Sequence, residues 1–130
     1  MKKLLFTIFI ILIYSTNTMA QKPQIERKDL ESALLNQNVS KVEVQEITFP
    51  AGQTAPKHLH NCPVVGYVKS GSVLFQVEGE EPKVINAGES FYEPKDNTIL
   101  HFDNNSETEE MTFVAFYLKE DNEINTELVR

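Results

Sequence analysis

Three histidines are the residues of this chain best suited to chemistry, and two of them stand as an i, i+2 pair. His58-Leu59-His60 lies inside Gly52–Gly71, with Gly52 six residues before the pair and Gly71 eleven after it. The third, His101, follows a second punctuated stretch that begins at Gly88. Side chains two apart on a strand share a face, about 7 Å from each other. His58 and His60 are therefore expected to aim together into a barrel mouth while Leu59 points away. Neutral imidazole is a ligand for zinc, copper, iron and nickel. Two ligands hold an ion weakly, so a third has to come from another strand, and His101 is the natural candidate. The alternative is a pair of polar residues on an exposed strand.

The elements that would position these residues are short strands. Lys41–Phe49 alternates, Val42 and Val44 against Glu43 and Gln45, as a half-buried strand does. Val64–Val68, Ser72–Glu78, Pro82–Ile85, Glu89–Glu93, Thr98–Asn104 and Met111–Leu118 follow, separated by Gly-, Asn- and Pro-bearing turns. Seven or eight short strands with turn signals every 8–12 residues predict an all-β sandwich or barrel. Phe75, Phe91, Phe102, Phe113 and Phe116 read as core. Before the strands, Leu30, Ala33 and Leu34 have helical spacing with Asp29 as a cap, so residues 21–39 form either a short helix or an irregular arm.

Gly52, His58, His60 and Gly71 resemble the first motif of the cupin superfamily, G-x5-H-x-H-x3-E-x6-G. Gly88-Glu-Ser-Phe-Tyr-Glu-Pro94 is similar to the start of the second, G-x5-P-x-G-x2-H-x3-N. The resemblance spans about residues 42–118. It implies a double-stranded β-helix, a jelly-roll barrel, and often one divalent metal held by three histidines and a glutamate. It also implies a homodimer.

Two departures bear on the metal. The motif glutamate falls at Val64, within a Pro63-Val64 sequence that resembles a cupin subgroup lacking it. In the second motif an ungapped count puts Asp96 in the glycine slot and Ile99 in the histidine slot. His101 has the parity of Ile99 but lies about 6.6 Å further along an ideal strand. It joins His58 and His60 only if Lys95–Thr98 holds two extra residues. Candidates for the missing carboxylate are Glu93, Asp103 and Cys62. Asp103 is otherwise a solvated strand-end acid or a partner that orients His101. Cys62 is otherwise a small buried filler.

Composition sets outer bounds. Lys2, Lys3, the apolar run Leu4–Tyr14 and the small-polar Ser15–Ala20 read as a signal peptide over 1–20, too short to span a bilayer, where about 20 apolar residues are needed. The expected organisation is 1–20 signal, 21–39 arm, 40–119 barrel and 120–130 acidic tail, in a secreted or periplasmic protein. The net charge is −7, and removing the two lysines of 1–20 would make it −9. That acidity argues against nucleic acid and against an anionic membrane surface. With Cys62 alone, no internal disulfide can form.

The reading is a small cupin-like domain binding a divalent ion (Zn, Fe, Mn, Ni or Cu) through His58, His60 and His101, with a small-molecule ligand. The alternative is a metal-free barrel serving as a ligand-binding or oligomeric accessory module. No serine elbow, phosphate loop or CxxC points to other chemistry, and the sequence leaves enzyme and binder open.

Overall fold

The computed structural model describes residues 22–130; the expected signal segment, 1–20, lies outside them. Among the described residues there is no helix. Nine strands, β1 (Lys41–Phe49), β2 (His58–Leu59), β3 (Val64–Ser70), β4 (Ser72–Val77), β5 (Lys83–Asn86), β6 (Ser90–Glu93), β7 (Ile99–Asn104), β8 (Met111–Lys119) and β9 (Glu127–Leu128), carry the fold. They make two antiparallel sheets, β1-β8-β3-β6 and β5-β4-β7-β2-β9. The segment before β1 takes the arm form. It is tied down by Gln37 Nε2 donating to the Leu118 carbonyl (2.9 Å) and by Lys95 Nζ donating to Gln37 Oε1 (2.9 Å).

Alternation along the strands builds the core between the sheets. Phe75, Phe91, Phe102 and Phe113 meet there, with ring centroids 4.7–6.1 Å apart. Burying apolar surface of this kind is the main source of stability in a chain without disulfides. Phe116 departs from the expected set. It is 38% exposed, on the outer face of β8.

β1 is turned the other way from its sequence reading. Ile47 and Phe49 pack inward, while Val42 and Val44 face outward, 51% and 56% exposed. Val44 lies opposite Phe116 in the β1–β8 register. An apolar stripe thus runs over the outside of the four-stranded sheet, continued on β3 by Tyr67, 38% exposed. The alternation was legible; which phase faces the core was set by Phe49, whose ring packs edge-on against Phe102 and Phe113.

Candidate metal centre

His58 belongs to the two-residue strand β2 and His60 follows it directly. Both are buried, 7% and 4% exposed, with ring centroids 5.0 Å apart. Each ring is held from behind by a backbone carbonyl. His58 Nδ1 lies 2.8 Å from the Pro56 oxygen and His60 Nδ1 lies 2.5 Å from the Asn125 oxygen. A carbonyl only accepts, so each Nδ1 carries the proton. In the neutral rings Nε2 is then left with its lone pair, the tautomer that binds metal.

Both Nε2 atoms face Glu93, the last residue of β6. His60 Nε2 is 3.0 Å from Oε2, and His58 Nε2 is 4.0 Å from Oε1. Glu93 is 3% exposed, and its Oε1 is buried without a hydrogen-bond partner. An orphaned carboxylate oxygen beside an imidazole lone pair is costly in a dry interior. A divalent cation resolves it. Two atoms each about 2.1 Å from one ion stand about 3.0–3.4 Å apart; the His60–Glu93 contact at 3.0 Å already has that spacing, and the His58–Glu93 contact at 4.0 Å would have to close by about half an ångström. Ligand atoms of His58, His60 and Glu93 all lie within 4.8 Å of one another. Burial opposes a charge on His60, but the hydrogen bond and negative charge of Glu93, with the Asn125 carbonyl, raise its pKa above the ordinary value.

The origin of the carboxylate is a register fact. Val64, which occupies the motif glutamate's place, pairs with Glu93 across β3 and β6. Directly opposed side chains share a face with Cβ atoms about 5 Å apart. Glu93 therefore supplies a carboxylate one strand sideways from Val64, within the same cluster. Tyr117 pairs with Val64 from the other side. Its ring sits edge-on to His60 at 5.7 Å, and burial, then the charge of Glu93, pushes its hydroxyl up to about 12. It remains a neutral donor beside the cluster.

His101 is not brought to the other two histidines. His58 pairs with Ile99, and Ile99 is fully buried. Asp96, in the glycine slot of the second motif, has φ 60°, the left-handed conformation that motif glycines serve. The ungapped count therefore holds and Lys95–Thr98 contains no extra residues. The parity expectation fails because of a bulge: β4 residues Val77 and Gln76 are neighbours, yet they pair with Ile99 and His101. Leu100 is the additional residue, and it turns His101 to the outer face. There the His101 side chain is 47% exposed and donates Nδ1–H to Asp103 Oδ2 at 2.7 Å. Asp103 Oδ1 accepts from the Ala55 amide (3.0 Å), so this acid orients an external imidazole and contributes nothing to the cluster.

Cys62 is the buried filler, 0% exposed in the core. Burial, then the charge of Glu123, pushes its thiol up to about 11. Thiolate is the reactive form. At pH 8 a disulfide reagent is expected to label Cys62 at least about 100-fold more slowly in the native protein than in denaturant; equal rates would show an open thiol.

The acidic tail contributes to the site. β9 pairs with β2, placing Leu128 opposite His58 and the Asn125 carbonyl behind His60. Lys119 Nζ secures it, donating to Asn125 Oδ1 (2.9 Å) and Glu43 Oε2 (3.2 Å). Hydrogen bonds from Lys41, Lys119 and Asn125 lower the Glu43 pKa to about 2. Because the folded-state value is depressed, this contribution is whole above the ordinary carboxylate pKa, about 4.5, and fades as pH falls toward about 2. Melting curves of wild type and Glu43→Gln are expected to differ at pH 6 and converge near pH 2.

Beside the cluster is a cavity of about 180 Å³, walled by β1, β7 and β8 and bordered by the tail. Two sheets closing over a histidine–carboxylate cluster define a double-stranded β-helix with a potential metal site. A family model described as Cupin domain matches residues 45–117, more than half of the chain, which thus belongs to the cupin family. Among solved structures, DMSP lyase DddQ from Ruegeria pomeroyi DSS-3 superposes with TM-score 0.58 at 18% identity, over 68% of this chain and 43% of the lyase. An oxalate oxidase in complex with the substrate analogue glycolate gives 0.53 at 26% identity, over 65% and 45%. An uncharacterized Klebsiella pneumoniae protein with a double-stranded beta-helix domain gives 0.58 at 15%, over 74% and 81%. The chain spans less than half the length of the lyase and of the oxidase. No curated protein matches the sequence.

Proposed function

We propose that this cupin binds one divalent transition-metal ion through His58 Nε2, His60 Nε2 and the Glu93 carboxylate, and presents it to a small molecule in the adjoining cavity. The observation that carries this reading is the buried, unpartnered Glu93 Oε1 facing two imidazoles whose Nδ1 atoms are occupied. Two histidines and one carboxylate with open positions form the ligand set of non-haem iron(II) sites, and also of catalytic zinc sites. Bound there, the ion would supply Lewis acidity to an oxygen of the ligand. The oxalate oxidase in complex with glycolate lends the small-molecule part a precedent. Protein purified without an affinity tag is expected to contain about one metal per chain. His58→Ala and His60→Ala should each lose it; metal content unchanged in both variants overturns the reading.

The expected secretion and the homodimer belong to the same proposal. For the dimer, the support is the apolar stripe Val42, Val44, Phe116 and Tyr67 outside the four-stranded sheet. A second copy would cover it. Phe116→Glu is expected to shift the protein from dimer to monomer in sedimentation equilibrium, and a wild-type protein that sediments as a monomer rules the dimer out.

A further inference from the structure

The walls of the cavity restrict what the metal can meet. Phe49, Phe102, Phe113 and Ala115 line it, and Leu128 stands at its rim. The polar side chains that reach it are the two histidines, Glu93, and the neutral hydroxyls of Tyr117 and Thr126, and no lysine or arginine lines it. An apolar cavity of about 150 Å³ holds one benzene, so about 180 Å³ admits a single six-membered ring and one or two further atoms. Charge narrows the class again. A divalent ion with one carboxylate and two neutral imidazoles retains one positive charge. A dianion would leave a net negative charge against aromatic walls with no cation to answer it, which is strongly disfavoured at low dielectric.

We propose that the cavity selects a largely apolar molecule of about one ring, which presents a single neutral or singly charged oxygen to the histidine–glutamate cluster. Small dicarboxylates are excluded. The inference rests on the metal reading for the oxygen contact, while the ring contact belongs to the cavity alone.

The two parts separate in one experiment. Phenol, cyclohexanol, oxalate and malonate are titrated calorimetrically into the cobalt(II)-loaded protein and into the metal-free protein. With cobalt, phenol and cyclohexanol are expected to bind at least about tenfold more tightly than either dicarboxylate. Without metal, both rings should still bind, about tenfold more weakly. Ala115→Phe, which fills the cavity from a residue that is not one of the three ligands, should weaken phenol by about tenfold or more in both forms while leaving cobalt affinity within about twofold. If that variant does not fold, Ala115→Leu takes its place. Should cobalt fail to bind at all, the metal reading falls, and phenol binding to the metal-free protein still decides the ring contact. Dicarboxylates binding as tightly as phenol, or phenol binding that is indifferent to residue 115, overturns the inference.

Discussion

Glu93→Gln is expected to weaken metal binding by roughly 100-fold or more, with the fold intact. Substituting even a residue behind a metal ligand costs about 10–100-fold in affinity, and here a ligand itself loses its charge. Glutamine keeps the volume of the buried side chain, so packing against Val64 changes little. What disappears is the anion that 3.0 Å and 4.0 Å contacts direct at the two Nε2 atoms. His101→Ala is the matching control. Its ring is on the outer face, paired with Asp103, and its removal should leave metal affinity unchanged. Competition titration with a chromophoric chelator measures both. Equal affinities in wild type and Glu93→Gln would remove the carboxylate from the site.

Gly66→Ala is expected to destabilise the protein by about 3 kcal/mol, the upper end of ordinary overpacking, lowering Tm by more than about 10 °C. Gly66 lies on β3 opposite Phe91, and a Cβ there would fall 1.9 Å from Phe91 Cζ. The ring has nowhere to retreat, since Phe75, Phe102 and Phe113 stand around it at centroid distances of 6.1, 5.0 and 5.9 Å. Gly66→Ala combined with Phe91→Leu should cost less than the two single changes added together, because the smaller side chain frees the space the methyl needs. Thermal unfolding of the four proteins gives the coupling; strict additivity would mean that Phe91 is not the obstacle.

The barrel was legible because alternation and turn residues recur along the chain. The histidine pair was legible from parity, which survived because the short β2 has no irregularity. Glu93 stood among three candidates for the carboxylate, and sequence could not choose between them. The choice depends on which residue pairs with Val64, a contact across 29 positions of chain. His101 misled for the opposite reason. Ile99 and His101 share parity only on a regular strand, and nothing in Thr98–Asp103 announces the bulge that Leu100 makes. Asp96 held a usable signal, since an aspartate in a glycine slot tolerates the left-handed turn and so favours the ungapped count. The tail's part in the site was hidden because it rests on a backbone carbonyl, Asn125 O, which carries no side-chain signature.

Anomalous diffraction from crystals soaked in cobalt(II) tests the metal assignment most directly. A single strong peak is predicted about 2.1 Å from His58 Nε2, from His60 Nε2 and from a Glu93 carboxylate oxygen. A peak bound instead by His101 and Asp103, or the absence of any peak beside the histidine pair, would contradict it.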